Sequence, residues 1–438
     1  MLIITAPGQG AQTPGFLAPW LELPGVAQCL GTASELAGCD LVRFGTTASA
    51  DEIKDTAVAQ PLLVAAAIVA ASALSGGSGG SDGSDGSDGD VPADAAAGHS
   101  VGELAAGVIA GVLTADDAMR LVAVRGRAMA AAAATEPTGM TAVLGGDQEA
   151  VLATIARHGL TPANVNGAGQ IVAAGTLAEL DAFAADPPAG ARLRPLQVAG
   201  AFHTRHMAPA VAALRDAAAD VAVADPAITV LSDADGAAVT TGKEWLERIV
   251  AQVAAPVRWD LCMRTMADLG VTALIELPPA GTLTGLARRA LPGVAQLALK
   301  TPEQLDAARD LIAGHLAEPD AHGHGHLPEW RLIVAPASGT FRSGADHQQL
   351  GLVVARGAEH PVAAPWPAEI IEWLVEDEDP VSQGQPLIRV HPRGVRGDGS
   401  PREEEKAHDI LRFPVPAGRG RPHPVAGRLP AGPRGHQR

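Results

Sequence analysis

Short, wholly apolar runs alternate with Ala-rich stretches over the first 128 residues. Strands that are apolar along their whole length suit a parallel sheet covered by helices on both faces, so this segment predicts an α/β layer. The opening run, Met1 to Pro7, reads as a buried strand feeding a Gly-Gln-Gly loop. The longest apolar run, Pro61 to Leu74, falls short of the ~20 residues that span a bilayer and reads as a buried helix. From Thr138 the pattern changes. Thr141 to Leu144 predicts a strand, Gln148 to Arg157 a helix, Ala163 to Ala174 one or two strands, Leu177 to Ala185 a helix and Ala191 to Val198 a strand. That βαββαβ order is the ferredoxin-like arrangement. The chain then returns to the larger layer through Thr229 to Ser232, Val271 to Leu277 and a helix from Pro302 to Leu316.

These patterns divide the chain into an α/β, hydrolase-like parallel-sheet core (1–137 and 200–317), an inserted ferredoxin-like subdomain (138–199), a linker (318–330), a small all-β domain (331–391) and a tail (392–438). Residues 75–90 are Gly, Ser and Asp only, a composition that buries nothing against its ordering entropy, and predict a flexible surface loop. Their Asp spacing lacks the terminal Glu of an EF-hand, which argues against a calcium site. His322, His324 and His326 alternate in the linker and read as adventitious metal affinity. The tail is rich in Arg, Gly and Pro without apolar periodicity and is expected to be disordered.

Composition narrows the function. The 438 residues are 47% hydrophobic but only 3% aromatic, with no tyrosine, so Ala, Val and Leu must build the core. A net charge of −17 disfavours general affinity for nucleic acid or anionic membrane. Three cysteines, Cys29, Cys39 and Cys262, give no disulfide framework or zinc ribbon. With no basic n-region at the start, a cytoplasmic location is expected.

The strongest chemical signal is Gly98-His-Ser-Val-Gly102, a G-x-S-x-G element between a strand-like stretch and an Ala-rich helix. Glycines on both sides of a serine at such a junction permit the sharp turn that exposes a nucleophilic hydroxyl. Ser100 is the candidate nucleophile. It needs a base, and His203, His206 and His99 all qualify by type; composition does not rank them.

Six ordered motifs supply more. Pro7-Gly-Gln-Gly-Ala-Gln12, Gly98-His-Ser-Val-Gly-Glu103, Val124-Arg-Gly-Arg-Ala-Met129, Asn164-Val-Asn-Gly-Ala-Gly-Gln170, Ala201-Phe-His203 and Pro256-Val-Arg-Trp259, spread over residues 1–316, resemble the malonyl-CoA:acyl carrier protein transacylases of fatty acid synthesis. The resemblance implies Ser100 as the acylated nucleophile, His203 as its general base and Gln252 as the residue whose backbone carbonyl orients the histidine. It implies the Gln9 and Val101 N–H groups as the oxyanion hole. It further implies Arg125, Asn166 and Phe202 as substrate-binding, with Arg125 gripping the malonyl carboxylate. Val101 and the Ala-Phe before the histidine resemble members selective for malonyl over methylmalonyl. The implied partners are malonyl-CoA and an acyl carrier protein, with Arg127, Arg192, Arg194 and Arg205 as docking candidates. No metal or cofactor is implied, and a monomer is expected. The loop 75–90 is longer than the family usually carries, and Pro278-Pro279 stands where Gly-Pro is commoner.

A second resemblance covers the C-terminal stretch. Glu359-His-Pro-Val-Ala-Ala-Pro365 and Asp379-Pro-Val-Ser-Gln-Gly-Gln-Pro-Leu387 resemble the biotinyl/lipoyl carrier fold. Where that family carries its cofactor lysine, this chain reads Arg356-Gly357-Ala358, and the nearest lysines are Lys300 and Lys406. A scaffold or docking module without cofactor is expected. Two rivals to the transferase are a serine thioesterase or esterase, for which a buried cation such as Arg125 has no use, and a non-catalytic scaffold of a synthase.

Overall fold

A computed structural model describes residues 1–76, 91–198, 200–317, 331–343, 350–355, 358–363, 368–375, 377–381 and 385–392. The expected loop from residue 77 onward, the linker 318–330, the tail beyond residue 392 and the Arg356-Gly357 pair lie outside them. The chain forms two compact units, 1–319 and 320–438.

In the first unit, strand β1 (Leu2–Ala6) leads to helices α1 (Val26–Ala37), α2 (Leu41–Thr46) and α3 (Thr56–Leu74). Strand β2 (Ala95–Gly98) turns into α4 (Gly102–Ile109), followed by α5 (Ala115–Ala133). The inserted segment runs β3 (Thr138–Gly145), α6 (Gln148–Arg157), β4 (Thr161–Gly167), β5 (Gln170–Thr176), α7 (Leu177–Ala185) and β6 (Ala191–Pro195). The main layer resumes with α8 (Ala208–Ala218), β7 (Thr229–Leu231), β8 (Ala238–Val239), α9 (Gly242–Gln252), α10 (Trp259–Asp268), β9 (Ala273–Glu276), α11 (Thr282–Ala290), β10 (Ala295–Ala298) and α12 (Leu305–Ala317).

The main sheet has the order β10-β9-β1-β2-β7-β8. All its pairs are parallel except β7 with β8. Its central strands β1 and β2 are buried at every position, which is why neither carries a charged residue. One apolar cluster lies on the face that carries α3, α4 and α5, and a second on the face that carries α10 and α11. Helix α3 corrects a sequence expectation. The helix begins at Thr56 rather than Pro61, where the Asp55 side chain caps the Ala57 N–H at 2.9 Å. At 19 residues it is long and apolar enough to cross a membrane, yet 72% of its most apolar window is buried, and it packs on α1, α2, α4, α5 and α12. A helix that is apolar all round is what a position in the middle of a helical layer requires.

The inserted sheet is antiparallel with the order β4-β5-β3-β6. Val143, Val151, Ile155, Ile171 and Phe183 form its own small core. It joins the main layer where Val165 and Val257 exchange backbone bonds with their neighbours: Val165 N–H donates to Val257 O at 2.8 Å and Val257 N–H to Ala163 O at 2.9 Å.

The carboxylate at the C-terminal end of β9 is structural. Glu276 is fully buried and accepts the N–H groups of Gly281, Thr282, Leu283 and Thr284 at 2.8–3.2 Å. It thereby satisfies the free donors at the start of α11 and places its charge at the positive end of that helix.

The described residues of the second unit form strands and their turns. Its strands are β11 (Arg331–Val334), β12 (Gly339–Ser343), β13 (Gly351–Ala355), β14 (Ala358–Val362), β15 (Ala368–Trp373), β16 (Pro380–Val381) and β17 (Pro386–Pro392). They form two antiparallel sheets, β11-β17-β15 and β14-β13-β12-β16. Ile333, Leu387, Ile388 and Val390 of the first meet Phe341, Val353 and Val362 of the second in one core, a small sandwich.

Candidate active site

The nucleophile turn forms where β2 must reverse into α4 within three residues. Ser100 takes a left-handed backbone with φ +54°, a strained choice for a residue with a side chain. The neighbouring glycines are dictated by contact. A Cβ on Gly98 would lie 2.0 Å from the carbonyl carbon of Gly102, and one on Gly102 would lie 2.2 Å from the Ala6 carbonyl oxygen. Gly102→Ala is therefore expected to destabilise the fold by about 3 kcal/mol, since backbone on either side has to shift. A urea midpoint within experimental error of the parent would contradict this.

Of the candidate residues, His203, Arg125 and Gln252 meet at the serine. His203, also left-handed at φ +61°, brings Nε2 to 2.7 Å from Ser100 Oγ. Its Nδ1 lies 2.9 Å from the backbone carbonyl of Gln252. A carbonyl only accepts, so Nδ1 carries the proton and Nε2 is left as the acceptor for the serine hydroxyl. Burial and the Arg125 charge push the His203 pKa down to about 3, which keeps the ring neutral. The other two histidines are engaged elsewhere. His206 pairs with Glu136 at 3.0 Å, and His99 Nε2 bonds Asn166 Oδ1 at 2.9 Å.

Arg125, on α5, is buried and reaches the same point. Its Nη1 donates to Gln60 Oε1 at 2.6 Å, and its Nη2 to Gln252 Oε1 at 2.8 Å and Ser100 Oγ at 3.3 Å. Its Nε is buried without a partner among the described residues. Burial lowers its pKa only to about 10, so it remains a cation at neutral pH. The Gln9 and Val101 backbone N–H groups have no acceptor among the described residues. Val101 stands at the start of α4, where the helix end adds positive potential. Phe202 is buried beside His203, and Asn166 ties His99 to Gln170 through a 3.1 Å bond.

Three residues of this cluster were not singled out from sequence. Gln60 is a buried amide in the otherwise apolar α3, and that isolation was its signal. Asp233 follows β7, with Oδ2 accepting the Ser100 N–H at 2.6 Å. Glu103, the last residue of the nucleophile motif, accepts the Asp233 N–H at 2.7 Å. Burial raises the pKa of both carboxyls, and the Asp233 charge raises that of Glu103 further.

The Acyl transferase domain profile matches residues 7–319. The chain belongs to this acyltransferase family. Within the family it is 53% identical over 311 residues to the malonyl CoA-acyl carrier protein transacylase of Mycobacterium tuberculosis, covering 71% of this chain and 100% of that one. The transacylase of the same name from Escherichia coli K12 is 34% identical over 312 residues, 70% of this chain and 97% of its own. Among solved family structures, the crystal structure of MCAT from M. tuberculosis has a TM-score of 0.66 at 52% identity, covering 70% of this chain and 99% of its own. A malonyl-transacylase solved with a type II PKS acyl-carrier protein has a TM-score of 0.64 at 29% identity, covering 71% and 99%.

Proposed function

We propose that the first unit transfers malonyl from malonyl-CoA to the phosphopantetheine thiol of an acyl carrier protein, in fatty acid or polyketide assembly. The observation that carries this reading is the placement of Arg125 Nη2 at 3.3 Å from Ser100 Oγ. In a malonyl thioester the free carboxylate is one methylene from the carbonyl that the serine attacks. A cation that serves it must therefore sit beside the nucleophile, and a guanidinium offers the planar fork a carboxylate pairs with.

In the proposed first half-reaction, His203 Nε2 takes the Ser100 proton as Oγ attacks the thioester carbonyl. The Gln9 and Val101 N–H groups hold the oxyanion that develops. The carbon–sulfur bond then breaks, and CoA leaves with the proton returned by His203. In the second half the carrier thiol gives its proton to His203, attacks malonyl-Ser100 and releases the serine, which regains that proton. Gln252 orients the imidazole through its carbonyl, while Asn166 and Phe202 shape the acyl pocket. These steps call for no metal or resident cofactor. Exposed Arg192 and Arg194 on β6 supply positive charge for an acidic carrier, and exposed Arg127 and Arg205 are further candidates. A cytoplasmic monomer fits this reading. We also read the second unit as a biotinyl/lipoyl-like scaffold without its cofactor lysine.

Intact mass after brief incubation with malonyl-CoA tests the transfer. A malonyl-sized gain that moves to added holo acyl carrier protein is expected. A gain that decays equally fast without carrier would mean a hydrolase, and no gain would leave only a binding role.

A further inference from the structure

Beneath the serine, two buried carboxyls take no part in the steps above. Their hydrogen bonds can be counted from Gln252, whose amide orientation is set by Arg125 donating to Oε1 at 2.8 Å. The amide nitrogen therefore faces the other way, with two protons to give. Three acceptors converge on it: Ser100 O at 3.1 Å, Asp233 Oδ1 at 3.0 Å and Glu103 Oε2. The remaining oxygens of the two carboxyls already have backbone donors, Glu103 Oε1 from Asp233 and Asp233 Oδ2 from Ser100. Glu103 Oε2 and Asp233 Oδ1 therefore meet at one amide nitrogen, two carboxyls side by side and both buried. The amide's two protons cannot serve all three acceptors, and two ionised carboxylates placed together out of water repel each other, so the pair is satisfied by one proton held between them.

We propose that Glu103 and Asp233 share one proton at neutral pH and act as a positioning dyad for the acyl transfer. Asp233 holds the Ser100 N–H, and both carboxyls hold Gln252, whose carbonyl aims His203 and whose side chain steadies Arg125. One shared proton leaves one negative charge, the complement of the Arg125 cation. The surrounding groups offer little further compensation. From α10 come Cys262, whose thiol donates to Ser232 O at 3.4 Å, and Asp260, which pairs with Arg258 at 2.8 Å. Asp235 pairs with Arg248 at 2.6 Å, and His203 is neutral. The Arg125 charge acts on both carboxyls. Loss of the shared proton thus places two buried anions side by side next to the Arg125 cation.

The inference rests on the acyl transfer reading only for its functional arm. Infrared spectroscopy of the full chain at pH 7 is expected to show the carbonyl stretch of a protonated carboxylic acid, lost in both Asp233→Asn and Glu103→Gln. No such band in the parent, or its survival in both variants, would overturn the dyad whether or not the protein transfers malonyl. In the functional arm, the rate of Ser100 acylation by malonyl-CoA is expected to fall on the order of tenfold per pH unit once the shared proton leaves. In Asp233→Asn the amide supplies its own protons to Glu103, so this alkaline fall should vanish. Asp233→Ala, with no donor or acceptor there, should be slower at every pH. An Asp233→Asn profile with the parent's alkaline limb would overturn the positioning role.

Discussion

Ser100→Ala and His203→Ala are each expected to lower transfer from malonyl-CoA by on the order of 10⁴- to 10⁶-fold, and the double variant should be no slower than the worse single. The reason is geometric. His203 Nε2 has one proton within reach, that of Ser100 Oγ at 2.7 Å, and its other nitrogen is committed to the Gln252 carbonyl. Without the serine there is nothing to acylate; without the imidazole the hydroxyl must lose its proton unaided. The two residues form one device, and removing half removes its effect. The ring's pKa of about 3 adds a pH signature. A base works only while unprotonated, so the acid limb of kcat/KM should lie well below the ~6.5 of a free imidazole. Rapid-quench acylation assays across pH would check both points. A His203→Ala rate within tenfold of the parent would move the base to His99 or His206.

Sequence pattern carried the architecture further than it carried the site. The βαββαβ order of the insertion was legible because Gly145-Gly146, Gly159, Gly167 to Gly169 and Gly190 punctuate it, and the observed α6 and α7 match the expected spans. The start of α3 was not, because Thr56 to Gln60 mixes polar with apolar residues before the continuous run and the Asp55 cap decides the boundary. In the site, Ser100 announces itself through local turn chemistry. The choice among three histidines does not, since it depends on a left-handed turn at His203 and on a carbonyl 49 residues away. Asp233 is harder still. Its partner is the backbone of Ser100, 133 residues distant, and only the parallel pairing of β2 with β7 brings the two strand ends together. Residues whose role is set by short-range geometry are readable from a single chain; residues recruited by sheet topology need the sheet.

Arg125→Ala is expected to cost about 3–5 kcal/mol in kcat/KM for malonyl-CoA, on the order of 10²- to 10⁴-fold, because it leaves the substrate carboxylate unpaired in a buried site. The loss should be selective. A neutral acyl group such as acetyl has no carboxylate to strand, so its kcat/KM should change far less and the preference between the two should narrow by a similar factor. Lysine is not expected to rescue malonyl transfer. Arg125 spans from Gln60 Oε1 to Gln252 Oε1 with two separate nitrogens, and its Nε remains unpartnered among the described residues. A single ammonium cannot hold both amides and still present a planar pair of donors to a carboxylate. Its loss would also free the Gln252 amide oxygen, loosening the residue that aims His203, so part of the deficit should appear with acetyl as well. Parallel kcat/KM measurements with malonyl-CoA and acetyl-CoA separate these contributions. An equal loss for both substrates would assign Arg125 to positioning Gln252, whereas a loss confined to malonyl would assign it to the carboxylate.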